Sequence, residues 1–422
     1  MIGIKNKFTT DKRLVFKNFF NLGIIQALEL VLPLLTIPYV VRVIGLDYVG
    51  LIAFVTSIVG YFNVLINYGF HLNGTKIVAQ NKENLLKLSQ LFNDVTYTKI
   101  FLSIISFIIF SFCTFFIDKL NQHYILNFLV FFNMIFNVFT PNWFLQGVQD
   151  LKIVSILNII LKSISTLCIF IFISKEENYI LLVIIPMISS FIILLILHLY
   201  VFRKYKIIFL KPNFKAVINQ IKEGFFIFMS QLKITFFGNF STVMIGFVLN
   251  NNAVGVFSSA QKIISALSAL QVPIVSALYP YFAKNINSNI KLAFYQINKI
   301  AKIGGICYLM IIAFIFFFAK DLSTIIFGSQ IDDISDIIRI LVFTPLLIFI
   351  NNLFGTQFLL NLGKDRLFFK ILVFAALMNI LLIYPFLLIF GLKGAAISLL
   401  LTEVYICYTM YYFAKKIFIN AK

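Results

Sequence analysis

Polar and charged side chains recur at helical spacing inside the long apolar stretches of this chain. Gln26 and Glu29 are three residues apart, and Asn63 and Asn67 are four residues apart, so each pair lies on one face of a helix. Polar groups in such stretches are costly unless they face a cavity or a partner. These four residues are therefore candidates for contact with a ligand, and Glu29 is also a candidate for a titrating coupling group.

The second half of the chain repeats this pattern with basic residues. Ser258, Lys262 and Ser265 follow one another at steps of four and three, and Lys233 lies in the preceding apolar stretch. Small polar residues also join helices to one another in lipid, which is the competing explanation for each Ser and Asn. Lys233 and Lys262 are the hardest to explain as packing, so we predict that they line a cavity.

Two further ionisable residues complete the candidate set. Arg42 ends the first apolar stretch, where its side chain can also extend to the outer interface, as that of Lys99 can to the inner one. Glu403 lies in the last apolar stretch and is either a contact between helices or a coupling group. Together with the two groups above, these residues are candidates for contact with a ligand.

Catalytic and metal-binding signals are missing from the sequence. The four cysteines stand singly in apolar stretches, and no pair has the spacing of metal ligands. No Gly-rich nucleotide loop and no combination of nucleophile and base is present. We therefore predict no catalytic residue, no metal and no cofactor.

The elements that hold these residues are membrane helices. Of 422 residues, 61% are hydrophobic and 12% are charged, whereas soluble domains have about 25% charged residues. Stretches of about 20 apolar residues are long enough to span a bilayer. Twelve such spans are predicted, at 19–41, 48–71, 96–117, 124–146, 153–174, 179–202, 224–249, 254–280, 300–319, 337–361, 367–390 and 392–414.

The distribution of basic residues predicts the orientation. With both termini in the cytoplasm, the cytoplasmic segments hold 25 Lys and Arg and the opposite loops hold five. Such a bias is typical of cytoplasmic loops. Topology therefore accounts for most of the net charge of +19, and a nucleic-acid partner is not expected.

The chain is predicted to form two six-helix lobes related by a parallel repeat. The N-terminal lobe covers 1–202, a basic cytoplasmic linker covers 203–222, and the C-terminal lobe covers 223–422. The segment from Gly45 to Gly50 before the second span resembles the segment from Asn251 to Gly255 before the eighth. Because six is an even number of spans, both halves enter the membrane from the same side.

Five segments along the chain carry recognisable motifs: 34–45, 67–73, 141–147, 254–260 and 391–396. The most specific is the Pro-x-Trp-x-x-Gln-Gly run at 141–147. In this order the motifs resemble the polysaccharide-transport branch of the multidrug/oligosaccharidyl-lipid/polysaccharide exporter superfamily. The likeness is greatest to O-antigen flippases of the Wzx type.

The resemblance implies two lobes that face each other across a central cavity open alternately to the two sides. It implies flipping of undecaprenyl-diphosphate-linked oligosaccharide, such as an O-antigen repeat unit, from the cytoplasmic to the periplasmic leaflet of the bacterial inner membrane. Polysaccharide polymerase and a chain-length regulator are the implied protein partners. The lysines suit this substrate because they supply charge-assisted hydrogen bonds to a diphosphate.

Two other functions remain as alternatives. A membrane-embedded polymerase, ligase or glycosyltransferase would need a sizeable outer loop with carboxylates or His, and the longest outer loop, about 320–336, has four Asp but no His. A multidrug exporter of the same superfamily would extrude cations, which acidic rather than basic cavity residues would favour.

Overall fold

Helices make up all regular structure in the described part of the chain. The computed structural model describes the backbone of residues 2–286, 288–328 and 332–420, and most side chains from Val31 onward. The first half contains α1 (Ile2–Asn67), α2 (Phe70–Gln80), α3 (Leu85–Phe116), α4 (Asp118–Asn121), α5 (Tyr124–Phe139), α6 (Asn142–Gly147), α7 (Lys152–Phe172), a 3-10 helix (Glu176–Ile180) and α8 (Leu181–Tyr205). The second half contains α9 (Phe214–Val248), α10 (Asn251–Ala269), α11 (Val272–Asn285), α12 (Ile290–Phe317), α13 (Ala319–Phe327), α14 (Asp332–Leu341), α15 (Thr344–Asn351), a π-helix (Asn352–Leu360), α16 (Asp365–Phe390) and α17 (Leu392–Asn420).

Asparagine side chains cap the first turns of several helices, including α9, where Asn213 accepts from the backbone N–H of Lys215 at 3.0 Å and of Ala216 at 3.4 Å. The side-chain oxygens of Asn84, Asn250 and Asn289 accept hydrogen bonds from the backbone N–H three residues further on, at 3.0, 2.8 and 2.8 Å. Each bond satisfies a backbone donor that has no partner in the first turn of a helix. These caps therefore help to set where α3, α10 and α12 start.

The chain is a multi-pass membrane protein. Within the described residues, ten helices are long and apolar enough to cross a bilayer, two fewer than predicted. The first two predicted spans run on as one helix, which is interrupted at Gly45 by non-helical backbone angles (φ 78°, ψ 168°). The seventh predicted span lies in α9. Within α9, the apolar stretch Gly238–Val248 is shorter than the length counted as a membrane span. The difference in number thus arises at these two places.

Two compact units form along the chain. One comprises residues 1–45 and 55–239, and the other comprises residues 46–54 and 240–422. Both α1 and α9 therefore contribute residues to each unit. The division into 1–202, 203–222 and 223–422 stays a prediction.

A backbone turn recurs in the two halves. After α6, the N–H of Asp150 donates to the carbonyl of Leu145 at 2.8 Å, and after the π-helix the N–H of Lys364 donates to the carbonyl of Leu359 at 3.0 Å. The residue before each donor has positive φ, 63° at Gln149 and 69° at Gly363. The two turns are 214 residues apart, which supports the parallel repeat at the level of backbone geometry.

The middle of the basic linker, between the end of α8 at Tyr205 and the start of α9 at Phe214, lies along α3. The side chain of Asn93 donates to Ile208 O at 2.8 Å and accepts from Leu210 N at 3.3 Å. Ser89 accepts from Ile208 N at 3.2 Å, and the Tyr97 hydroxyl donates to Leu210 O at 2.6 Å. Ser89, Asn93 and Tyr97 are four residues apart, so one face of α3 holds the backbone of the linker.

Candidate functional site

Asn63 and Asn67 form a polar pair on the second part of α1. The amide of Asn67 donates to the side-chain oxygen of Asn63 at 2.8 Å, and both side chains are half-buried. This bond uses one donor and one acceptor of the pair. The amide of Asn63 and the oxygen of Asn67 keep hydrogen-bonding capacity of the kind that sugar hydroxyls require.

The same part of α1 packs along α9 in the first unit. Asn239 donates to Ser57 O at 3.3 Å, and the rings of Tyr61 and Phe236 are 5.8 Å apart. Directly after Asn67, the ring of Tyr68 stacks on that of Phe228, with the ring centroids 4.5 Å apart. The asparagine pair therefore lies between two aromatic contacts, which periodicity in α1 alone did not predict.

The predicted polar stripe on α10 divides between buried and exposed positions. Lys262 and Ser265 are exposed, whereas Ser258 is buried and donates to Gly255 O at 3.2 Å. Lys262 lies eleven residues after the start of α10, in the middle of a membrane helix, and has no ion pair or hydrogen bond to any described residue. Lys262 and Ser265 are therefore the members of this stripe that are accessible to a ligand.

Three predicted site residues lie outside the described side chains, and a fourth is at a helix end. Gln26 and Glu29 fall in α1 and Lys233 falls in α9, and their side chains are not among those described. Arg42 is exposed one turn before the interruption of α1 at Gly45.

Two glycines bring the second part of α1 into backbone contact with α10, within the second unit. A Cβ atom at Gly50 would overlap the carbonyl oxygen of Asn251 and lie 2.5 Å from the N of Gly255. A Cβ atom at Gly255 would overlap the carbonyl oxygen of Leu46. Only glycine therefore permits this approach on either side.

The contact has the symmetry of the internal repeat. Asn252 donates to the carboxylate of Asp47 at 3.3 Å, and the two residues are 205 apart in the chain, as are the two glycines. Each half thus supplies one glycine and one polar residue. The interruption of α1 at Gly45 lies directly before this contact.

Glu403 is buried in the second unit. Its side chain is 8% exposed, and its carboxylate accepts a hydrogen bond from the amide of Asn351 at 2.7 Å. The described structure gives Glu403 a contact between helices, while its coupling role stays a prediction.

Asp150 closes the turn that follows α6. One of its carboxylate oxygens accepts hydrogen bonds from Lys204 (2.6 Å), Tyr200 (2.7 Å) and Tyr205 (2.9 Å). Burial raises the pKa of Asp150, but these hydrogen bonds and the charge of Lys204 outweigh it, so the pKa lies below its ordinary value. The cluster therefore ties the end of α8 to the turn.

Lys99 does not reach the inner interface. Its side chain is 3% exposed, and the ammonium donates to Val138 O at 2.7 Å. Val138 lies in the last turn of α5, where carbonyls have no helical partner and the helix dipole favours a cation. The expectation that Lys99 extends to the interface is therefore wrong, because the end of α5 provides a buried partner.

Metal-binding residues do not cluster in the described part of the chain. No three His, Cys, Asp or Glu side chains there come close enough together to hold a metal ion.

Comparison with known proteins finds one matching family and two similar curated proteins. A family profile described as "Polysaccharide biosynthesis protein" matches residues 15–286. Two curated relatives share the name "Putative O-antigen transporter". The protein of Escherichia coli (strain K12) is 27% identical over 410 residues, which cover 96% of this chain and 98% of the relative. The protein of Shigella dysenteriae is 23% identical over 399 residues, which cover 92% and 97%.

Solved structures share the fold. A multidrug resistance MATE family transporter of the MOP superfamily, in an inward-facing conformation, superposes with a TM-score of 0.69 at 16% identity and covers 92% of this chain and 98% of its own. The lipid II flippase MurJ, in an inward closed conformation, superposes with a TM-score of 0.70 at 13% identity and covers 93% and 87%. The resemblance seen in the motifs is thereby confirmed, and the similar proteins are transporters rather than enzymes.

Proposed function

Because the chain belongs to the polysaccharide biosynthesis protein family, we propose that it flips a lipid-linked oligosaccharide across the bacterial inner membrane. The substrate is an undecaprenyl-diphosphate-linked repeat unit, of O-antigen or a similar polysaccharide, and it moves from the cytoplasmic to the periplasmic leaflet. The names of the two curated relatives and the flippase fold of MurJ support this role. A polymerase and a chain-length regulator would use the flipped product.

The observation that carries the proposal is the position of Lys262. A lysine in the middle of a membrane helix costs free energy unless it has a partner or faces water. Lys262 is exposed and has no described partner, so its ammonium is available to an anionic ligand. A diphosphate provides several oxygens that accept charge-assisted hydrogen bonds from such a group. Lys233 is proposed as a second cation for the same diphosphate.

The glycan is proposed to contact the polar face of α1. Asn63 and Asn67 offer an amide and a carbonyl oxygen that their mutual hydrogen bond leaves available. Gln26 and Ser265 would add further donors and acceptors, with Arg42 near the outer end. The undecaprenyl chain stays in lipid, because its transfer into a polar site would cost the hydrophobic free energy of each buried methylene.

Transport by alternating access requires a contact that forms in one state and separates in another. The Gly50–Gly255 approach is proposed as this contact, since it consists of two helix starts held together by close backbone packing and one polar pair. The interruption at Gly45 would let the segment that follows it move relative to the rest of α1.

Complementation of a flippase-deficient strain tests the assignment of Lys262. Lys262→Ala should abolish surface polysaccharide while the amount of protein in the membrane stays near normal, and Lys262→Arg should restore part of it. Lys291→Ala is the matched control, because Lys291 is an exposed lysine at the start of α12. Full complementation by Lys262→Ala would overturn the assignment.

A further inference from the structure

The pair formed by Glu403 and Asn351 has an unused acceptor beside a buried carboxyl group. Asn351 donates its amide to Glu403 at 2.7 Å, but its own side-chain oxygen is buried and has no hydrogen-bond donor among the described residues. Leaving such an oxygen unsatisfied costs about 1–3 kcal/mol. A deprotonated Glu403 cannot supply the donor, since a carboxylate only accepts hydrogen bonds.

A protonated Glu403 supplies what is missing. A carboxylic acid has one O–H donor, and a carboxamide opposite it has one acceptor, so the two groups can exchange a pair of hydrogen bonds. In that form Glu403 is also neutral, which removes the cost of a buried charge. From this pairing we propose that Glu403 is a proton-binding site in the second unit and that the proton it takes up and releases is exchanged for the flipped substrate.

The backbone beside the pair is irregular. Asn351 is the last residue of α15, and the nine-residue π-helix Asn352–Leu360 follows it directly. Such wide turns are rare and are frequent at functional sites. Within this segment Asn352 donates to Gln271 at 3.2 Å, and Gln357 donates to Val275 O at 2.9 Å while its own side-chain oxygen is buried without a donor. The partner of Glu403 is therefore the residue that directly precedes the π-helix.

Among the described residues, the helices packed against α17 have no other carboxyl group beyond their first five residues that could bind a proton in this way. In the described residues, α15 and the π-helix carry no titratable group, and the carboxylates of α14 and α16 lie within the first five residues of those helices. Cys407 lies one turn beyond Glu403, and Lys262 of α10 is exposed. The titratable and charged groups of these helices are Lys262 on α10; Lys291, Tyr295, Lys299, Lys302, Cys307 and Tyr308 on α12; Asp332, Asp333, Asp336 and Arg339 on α14; Asp365, Arg366, Lys370 and Tyr384 on α16; and Lys393, Tyr405, Cys407, Tyr408, Tyr411, Tyr412, Lys415 and Lys416 on α17.

The exchange involves only the proton. Glu403 takes up H⁺ from the outer side to form the neutral acid, and it releases H⁺ to the cytoplasmic side to regenerate the carboxylate, while the lipid-linked oligosaccharide moves the opposite way. No other bond forms or breaks. One proton exchanged per substrate converts each unit of pH gradient into at most a tenfold difference in substrate between the leaflets.

The inference rests on the proposed flippase function, and one experiment separates the two. Purified wild-type protein is reconstituted in vesicles with a fluorescent undecaprenyl-diphosphate disaccharide, the membrane potential is held at zero, and a pH gradient of one unit is imposed. Wild-type protein should shift the leaflet distribution by up to tenfold. The Glu403→Gln variant should move substrate between the leaflets without concentrating it in either one. Glutamine accepts the hydrogen bond from Asn351, but its amide neither takes up nor releases a proton. Glu83→Gln is the control, since Glu83 is an exposed carboxylate between α2 and α3.

Each outcome has a distinct meaning. Absence of flipping by the wild-type protein under all conditions would defeat the proposed function and the inference together. Flipping that ignores the pH gradient, that follows a sodium gradient instead, or that keeps its pH response in Glu403→Gln would overturn the inference alone. If Glu403→Gln does not flip, infrared difference spectra with pH decide: a titrating carboxylic-acid band present in the wild-type protein and lost in Glu403→Gln supports the site, and an unchanged band refutes it.

Discussion

Substitution of Gly255 by alanine would place a methyl group in the contact between α1 and α10. The new Cβ would overlap the carbonyl oxygen of Leu46, which is backbone and cannot rotate away as a side chain would. Overpacking of this kind costs about 1–3 kcal/mol. If the contact exists in only one transport state, the whole cost falls on that state, and its population relative to the other falls about 5–150-fold.

Cysteine labelling measures this shift. In a variant without the four native cysteines, Leu46→Cys reports access to the contact, because the Leu46 side chain is 3% exposed and its carbonyl lies against Gly255. A membrane-impermeant maleimide should label this cysteine several-fold faster when Gly255→Ala is also present. Gly50→Ala should have the same effect, since its Cβ would overlap the carbonyl oxygen of Asn251. Gly305→Ala is the matched control, because its Cβ would lie 3.9 Å from the nearest atom.

The reasoning fails if the alanine variants remain folded and label at the wild-type rate. Such a result would mean either that the helices shift without cost or that the contact persists in both states. A loss of folded protein is detected separately by size-exclusion chromatography, and the labelling of Gly50→Ala and Gly255→Ala is then compared at a temperature at which both are intact.

Three further predictions concern the first unit and the topology. Asp150→Asn should lower the free energy of unfolding by about 1–3 kcal/mol at neutral pH. Because the pKa of Asp150 lies below its ordinary value, the stabilisation is fully present at a pH above that ordinary value and is lost as the pH falls through the lowered pKa. The difference in thermal midpoint between the wild type and the variant should therefore shrink in acid. A difference that stays constant with pH would contradict this. Lys99→Met should lower the thermal midpoint in detergent, because Val138 O loses its buried donor, and an unchanged midpoint would refute the capping role. Cysteines introduced at Lys211 and Lys320 should label from the cytoplasmic and the periplasmic side, respectively, and periplasmic labelling at Lys211 would overturn the orientation.

Hydropathy and spacing predicted the helical membrane fold because those features depend on local sequence. The repeat of Gly50 and Gly255 was also visible in the sequence, although its physical cause was not. The cause is the approach of two backbones, which depends on both segments at once. The turn at Gly363 matches the one at Gln149 although the two residue types differ, because the positive φ is what recurs.

Partners in other helices were beyond the reach of sequence reasoning. The sequence predicts that Lys99 lies at the interface, because the sequence does not show that the end of α5 supplies a buried hydrogen-bond acceptor. Ser258 has the spacing of an exposed stripe, but its hydroxyl bonds the backbone of its own helix. The π-helix after Asn351 has no sequence signal that we recognise, and the pairing of Asn351 with Glu403 joins two helices that are distant in the chain.

The most direct test of the central claim is flipping by the purified protein alone. Vesicles containing the wild-type chain and a fluorescent undecaprenyl-diphosphate disaccharide are treated with an impermeant quencher, and the fraction of label protected inside is followed over time. The account predicts that the wild-type protein moves label between the leaflets, that Lys262→Ala abolishes the movement and that Lys262→Arg retains part of it. Label that moves no faster than in protein-free vesicles, or equally fast with Lys262→Ala, would contradict the account.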